Sequence, residues 1–304
     1  MVGITGGHGF LGQYVIKELN KRKYKGYAPK HDEVDFSKRN ACKKFASQCD
    51  VIIHLAAKVG GIGANSKYPY DFFYDNLLMG TQLFNEAMKA KVKKFVTVGT
   101  ICEYPKHTPT PFKESALWLG YPEETNAPYG LAKKMLLVQG QAAKKQYDFN
   151  SIHLLQVNLY GPGDNFDPES SHVIPALIKK IHEAKESGVR NIELWGSGKQ
   201  TREFLYVEDA ARGIVDAMEK YDSPEPVNLG SGMEISIKDL ANKIKKIIGY
   251  TGSFYWNTDM PDGQPRRNLD VSMAKKEFGF KATTNFDKGL KETIKWYTND
   301  IRRN

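Results

Sequence analysis

Short apolar runs alternate with stretches of helical period through the first half of the chain. Residues 2–5, 50–55, 94–98 and 151–157 read as strands, with a weaker one at 24–28. Helical periodicity covers 9–22, 72–90 and 127–146. Strands that alternate with helices in this way predict parallel β-α-β units, hence an α/β fold with a doubly wound, Rossmann-like parallel sheet. Beyond Tyr160 the pattern loosens. Glycine and proline clusters at Gly161-Pro162-Gly163, Gly196-Ser197-Gly198 and Pro261-Asp262-Gly263 separate shorter elements, among them strands at 204–207 and 226–229 and amphipathic helices at 237–248 and 286–297. There is no internal repeat or low-complexity linker. The expected organisation is a first domain over 1–160, to which the chain returns at about 204–230, and a smaller α/β substrate domain over 161–304.

Composition narrows this picture without redirecting it. With 304 residues, 40% hydrophobic and 26% charged, the chain is neither disordered nor collagen-like. A chain of this size buries roughly 75% of its unfolded surface and needs no metal or disulfide to hold a core. The 3 cysteines, Cys42, Cys49 and Cys102, form no CxxC pair, so no metal site is expected and a reducing cytoplasm suits them. No run approaches the roughly 18 apolar residues of a membrane span, and no signal peptide is expected. The net charge of +9 favours anionic partners. Its lysines are scattered as surface pairs such as Lys43-Lys44 and Lys179-Lys180, without a basic arm or nucleic-acid motif, so a phosphate-rich small ligand is expected rather than nucleic acid.

The segment Gly6-Gly7-His8-Gly9-Phe10-Leu11-Gly12 follows the first strand and opens the first helix. This is the context of a dinucleotide-binding turn, in which glycines admit a pyrophosphate to the free N–H groups of a helix N-terminus. After the second strand an NAD protein places an acidic residue on the ribose hydroxyls, whereas this chain has Pro29-Lys30-His31. Basic residues there suit a 2′-phosphate and NADP. Asp32, Glu33 and Asp35 stand close by and leave NAD open.

Tyr129 and Lys133 are four residues apart in a predicted helix and share a face. A cation beside a phenol lowers its pKa and lets it exchange a proton with a carbonyl oxygen while hydride moves at the attached carbon. Thr100, at the carboxyl end of a strand, can donate to the same oxygen. Cys102, just beyond it, reads either as a small buried hydrophobe or as a thiolate base.

The segments His54-Leu-Ala-Ala-Lys-Val-Gly-Gly-Ile62, Asn158-Leu-Tyr-Gly-Pro162, Ser171-His-Val-Ile-Pro-Ala-Leu177, Trp195-Gly-Ser-Gly198 and Arg202-Glu-Phe-Leu205 extend the pattern over nearly the whole chain. In them it resembles the GDP-L-fucose synthases, bifunctional epimerase-reductases of the extended short-chain dehydrogenase/reductase superfamily. The resemblance implies NADPH-dependent 3,5-epimerisation and 4-reduction of GDP-4-keto-6-deoxy-D-mannose. Cys102 matches the base and His172 the acid of the epimerisation, while Tyr129, with Lys133 and Thr100, matches the proton donor of the reduction. It places Ala56, Ala57, Lys58, Asn158, Leu159 and His172 beside the cofactor, and Lys180, Trp195, Arg202 and Asp262 on the GDP-sugar. It further implies a homodimer.

The chain departs from that family at Thr100 (commonly Ser), at His8 and His31 (basic residues) and at Lys180 (Arg, which offers a bidentate fork in place of a point charge). Three rivals stay open: an epimerase-only or reductase-only enzyme on another 4-keto sugar nucleotide, a 4,6-dehydratase, and a regulator that binds cofactor without turnover. Ile101 and Cys102 stand where dehydratases carry Asp and Glu, and the intact Thr100, Tyr129 and Lys133 argue against a regulator.

Overall fold

The computed structural model describes residues 1–260 and 263–301. Six parallel strands form the central sheet, in the spatial order Gly26–Tyr27, Val2–Thr5, Val51–His54, Lys94–Thr100, Ser151–Gln156, Pro226–Leu229. The order reverses between Val2–Thr5 and Val51–His54. At such a switch point the following segments leave toward opposite faces and open a crevice at the carboxyl ends of the strands. Interior strands are apolar on both faces because helices cover both. Ile4, Ile53, Val96 and Leu154 belong to the same core as Val15, Leu19 and Ile214. Ile52 and Phe95 join Phe45, Phe84 and Phe149 on the other side.

The expected strand at 24–28 is reduced to Gly26–Tyr27, paired only through Val2↔Gly26 and Gly3↔Tyr27. It lies at the sheet edge and runs into Pro29, which has no N–H to continue a ladder. The strand expected at 94–98 runs on to Thr100, whose ladder partner is Gln156. Thr100 is therefore the last residue held by the sheet.

Helices Phe10–Lys21 and Val207–Lys220 pack against each other, as do Pro69–Lys89 and Ala127–Tyr147. The helix Val207–Lys220 is dictated by Ala210, Ala211, Ile214, Val215 and Met218, buried at helical spacing, with Glu208 and Asp209 suited to its N-terminus. A second lobe gathers helices Val173–Glu186, Ile237–Ile248 and Phe286–Ile301 around Ile178, Ile181, Leu240, Ile244 and Leu290. Two small sheets complete it: Asn191–Trp195 with Ser253–Asn257, and Thr201–Arg202 flanked by Ile235–Ser236 and Arg266–Arg267. Between the lobes Asn158–Tyr160 pairs in parallel with Phe204–Tyr206.

The sixth strand is fastened by Asn228, which is fully buried. Its side-chain amide donates to the carbonyls of Phe112 and Asp270, and its Oδ1 accepts from the Tyr104 hydroxyl at 2.7 Å. Leucine at this position removes the partner of the Tyr104 hydroxyl and of the Asp270 carbonyl, while the Phe112 carbonyl keeps the Asp270 N–H. At about 1–3 kcal/mol per unsatisfied group, Asn228→Leu should destabilise the fold by at least ~2 kcal/mol, measured as a lowered urea midpoint at unchanged slope.

Candidate active site

A cleft of about 1430 Å³ lies over the carboxyl ends of the central strands and beneath the second lobe. Single small-ligand sites run to roughly 300–1,000 Å³, so this one has room for two ligands side by side. Its lining includes the glycine turn (Gly6, His8, Gly9, Phe10, Leu11, Gly12), His31, Ala56, Ala57 and Lys58, and Asn158 and Leu159. Thr100, Cys102, Tyr129, Lys133, His172, Lys180, Trp195 and Arg202 line the same cavity. Asp262 lies outside the described residues.

The glycine turn is built for close approach. Gly6 has φ +68°, and a β-carbon there would stand 2.8 Å from the Ala56 nitrogen, while one at Gly12 would stand 2.2 Å from the Gly6 oxygen. Gly9 caps the 12-residue helix Phe10–Lys21 without any side-chain bond, which leaves the first-turn N–H groups to an anion. The third strand is held alongside by Thr5, whose hydroxyl accepts from the Ala56 N–H at 3.0 Å. Asn76 then clamps both backbone groups of Lys58. These residues fit the pyrophosphate of a dinucleotide. At the ribose end Lys30, His31, Asp35 and Ser37 line the cavity together. His8 Nε2 lies 3.0 Å from the Ala28 carbonyl, which can only accept, so that nitrogen carries the proton. Lys58 Nζ is paired with Asp71 and Asp75 at the surface.

The reacting groups meet at the turn after the fourth strand. A short 3-10 helix, Ile101–Glu103, is closed by a reciprocal cap: Thr100 Oγ1 accepts from the Cys102 N–H, and Glu103 accepts from the Thr100 N–H at 2.9 Å. Because the Thr100 hydroxyl accepts from the backbone, its own proton is left to donate into the cleft. Helix Ala127–Tyr147 rests directly on this turn. A β-carbon at Gly130 would lie 2.3 Å from the Cys102 carbonyl oxygen, so glycine at the second position of Tyr129-Gly-Leu-Ala-Lys133 sets the approach. Lys134 reinforces it by donating to the carbonyls of Glu103 and Leu117 and lying over the Trp118 ring. Phe72 packs edge-on against Tyr129.

Burial dominates the electrostatics. It pushes the Tyr129 phenol up, with the Cys102 and Glu103 charges adding in the same direction. Lys133, four residues on, does not bring the phenol down in this arrangement. Burial brings Lys133 down to about 8 against the pull of Glu103. His172 is also held below the ordinary imidazole range by burial, and it caps the N-terminus of helix Val173–Glu186, where a positive charge is disfavoured.

From the second lobe, Lys180 Nζ donates to the Glu193 carbonyl at 2.6 Å. The Arg202 Nη1 donates to the carbonyls of Thr201 and Gln264, and Trp195 is 62% exposed at the cavity wall rather than in a core. Several residues in the lining and behind it escape a motif reading. Glu103 and His153 form a fully buried pair, Oε2 to Nε2 3.0 Å, directly behind Thr100. The Thr97 hydroxyl donates to the Ile152 carbonyl, so His153 Nδ1 must donate to Thr97 and its Nε2 shares a proton with the carboxylate. Of the buried polar atoms without a partner among the described residues, Gln156 Nε2, Asp164 Oδ2, Ser171 Oγ and Gln200 Oε1 all belong to cleft residues. Burial raises Asp164 to about 7. Arg267 completes the lining, its Nη1 3.6 Å from Cys102 Sγ.

A doubly wound sheet with a glycine turn, a Tyr-x-x-x-Lys helix and a two-ligand cleft defines a dinucleotide-dependent enzyme class with room for a second ligand. The chain belongs to the NAD dependent epimerase/dehydratase family, whose description matches residues 2–230. It is 38% identical over 304 residues to probable GDP-L-fucose synthase 1 of Oryza sativa subsp. japonica, covering 99% of this chain and 92% of that one. Among solved structures it superimposes with a TM-score of 0.92 on a GDP-6-OMe-4-keto-L-xylo-heptose reductase from C. jejuni, at 28% identity and covering 98% and 97% of the two chains. A GDP-L-fucose synthetase from Naegleria fowleri bound to NADP gives 0.88 at 30% identity, covering 99% and 93%.

Two outcomes follow from this geometry. Gly130→Ala should leave the far-ultraviolet circular dichroism unchanged but lower kcat by about 100-fold, the cost of moving reacting groups by roughly 1 Å. Because Lys133 is held at about 8, its ammonium is lost as pH rises through that value. The wild-type turnover rate should therefore fall above pH 8, and Lys133→Met should abolish that limb of the pH profile.

Proposed function

We propose that this chain is an NADPH-dependent epimerase-reductase that converts GDP-4-keto-6-deoxy-D-mannose to GDP-L-fucose. One observation carries the reading: Thr100, Cys102, Tyr129, Lys133 and His172 face a single two-ligand cleft in a chain 38% identical to a probable GDP-L-fucose synthase. The glycine turn holds the pyrophosphate of NADP, with Lys30 and His31 toward the 2′-phosphate and Ala56, Ala57, Lys58, Asn158 and Leu159 along its length. Lys180, Trp195, Arg202 and Asp262 take the GDP-sugar. The first 160 residues and the returning segment 204–230 serve the cofactor, and the remainder serves the sugar nucleotide.

In the epimerisation the Cys102 thiolate takes a proton from C3 or C5, and the electron pair moves through C4 to its oxygen as an enolate. Thr100 and Tyr129 hold that oxygen by donated hydrogen bonds. His172, which enters from the second lobe, returns a proton to the opposite face of the carbon. Burial holds the imidazole below its ordinary range, which favours release of the proton to the carbon. NADPH, when bound, supplies the hydride that C4 receives. Tyr129 gives O4 its proton, and Lys133 balances the phenolate left behind.

A second reading is favoured by the TM-score of 0.92 to the heptose reductase: a reductase acting on a GDP-4-keto-heptose without epimerisation. The exposed Tyr70, Phe73 and Tyr74 on helix Pro69–Lys89 and Val138 on its packed neighbour support a homodimer formed through this helix pair. Three free thiols support a cytoplasmic setting. Among the described residues no helix is long and apolar enough to cross a membrane.

The purified protein with GDP-4-keto-6-deoxy-D-mannose in deuterated water tests the assignment. Deuterium should enter C3 and C5 before NADPH is added, and GDP-L-fucose should form afterwards, read by mass spectrometry and NMR. Exchange should be lost in Cys102→Ser. Reduction without exchange would transfer the assignment to the reductase reading.

A further inference from the structure

Cys102 reaches the cleft from the first lobe, yet the nearest cation bonded to it comes from the second. Arg266 and Arg267 form a short strand beside Thr201–Arg202. Successive strand residues point to opposite faces. Accordingly Arg266 turns outward into a two-pronged pair with Glu234, at 2.8 and 2.6 Å, while Arg267 turns into the cleft. There its Nη1 donates to Cys102 Sγ at 3.6 Å. The guanidinium plane is fixed by a second bond, from Nε to Gln264 Oε1 at 2.7 Å. Gln264 is itself buried and donates from Nε2 to the Lys106 carbonyl at 2.7 Å, so its acceptor oxygen is aimed at Arg267. The same residue's carbonyl accepts from Arg202 at 2.7 Å. Gln264 thus couples two arginines, one beside the thiol and one assigned to the sugar nucleotide.

We infer that Arg267 is the positioning residue of the Cys102 base: its guanidinium aims the sulfur and stabilises the thiolate over the thiol, and Gln264 holds it there. The inference rests on the proposed role of Cys102 in epimerisation. A thiolate is the only form of cysteine that can accept a carbon-bound proton, and a donor that is permanently cationic favours it throughout the working pH range. When the sulfur takes the proton the bond from Arg267 weakens, and loss of that proton to solvent restores it. The other titratable groups packed around the turn include Glu103 with its partner His153 on the fifth strand, and Tyr129, Lys133 and Lys134 on the helix above it. Glu103 and Tyr129 carry or acquire negative charge, which opposes a thiolate, and Arg267 offsets them from the opposite lobe.

The test is alkylation of the whole protein by iodoacetamide without any substrate, with each cysteine followed separately by peptide mass spectrometry. At pH 7 the Cys102 rate in Arg267→Gln should fall about tenfold, and Arg267→Lys should recover part of it. The difference should close at alkaline pH, where the thiolate forms without help. Cys42 and Cys49 serve as internal reporters of folding, since burial raises each to about 11 and both donate to backbone carbonyls. They should stay unmodified in every variant. An unchanged Cys102 rate in Arg267→Gln, with a raised KM for the sugar nucleotide, would overturn the inference and leave Arg267 as a phosphate contact. If the base assignment itself is wrong, Cys102→Ser will keep its deuterium exchange, a result independent of the alkylation rates.

Discussion

The site depends on a contact with no spare volume. Helix Ala127–Tyr147 meets the turn at Cys102 with only a hydrogen between Gly130 and the carbonyl beneath it. That approach brings Tyr129 and Lys133, from a helix covering the sheet, to Thr100 and Cys102, at the end of a strand within it. The turn cannot yield, because its two ends cap each other and Glu103 is locked to His153 behind it. Gly99 belongs to the same constraint: a β-carbon there would strike Glu103 and His153 at 2.3 and 2.4 Å. Glycine is required on both sides of the reacting turn, once for the helix in front and once for the buried pair behind.

A buried acid-histidine pair is a costly support, since both partners forgo water. It is maintained here by complete hydrogen bonding through Thr97, Thr100 and the Ile152 carbonyl. The cleft shows the contrary arrangement. Gln156, Asp164, Ser171 and Gln200 each keep a buried polar atom without a partner among the described residues. Unpaired groups of this kind weaken a fold and suit a surface that awaits the polar groups of a ligand. Rigidity behind the reacting atoms and incomplete bonding around them are both consistent with a preorganised site.

Much of this was legible in the sequence. The strands of the central sheet and the helix with Tyr129 and Lys133 follow from apolar runs and helical period, which burial on two faces makes conspicuous. Thr100 could be placed at a strand end for the same reason. The second lobe was less legible. Its strands are two to five residues long, too short for alternation to register, and where the chain returns to the first lobe helix Val207–Lys220 begins directly after a strand with no turn residue to mark the change. Roles for His172, Lys180, Trp195 and Arg202 came from resemblance, since nothing in their local pattern separates a ligand contact from an ordinary surface. Arg267 and Gln264 were not legible because the partners that tie them to the reacting turn, Cys102 and the Lys106 carbonyl, lie 165 and 158 residues away in the chain. The shift of Tyr129 was misjudged because sequence spacing shows the neighbouring cation but not the depth of burial.

The strand pair between the lobes has a mechanical side. Asn158–Tyr160 follows the fifth strand of the central sheet after a single residue, and Tyr160 at its far end is rooted in the second core against Phe204, Tyr206 and Phe286. The paired Phe204–Tyr206 crosses beside it and passes directly into helix Val207–Lys220 of the first lobe. Two covalent, hydrogen-bonded rails therefore run side by side between the parts, beside later crossings that bring Leu269, Phe278 and Phe280 back to the first core, in place of a single flexible hinge. Divergence among such enzymes is then channelled: loops at the cleft mouth can drift toward new sugars one residue at a time, whereas exchanging the whole lobe between relatives would sever both rails and the core they anchor.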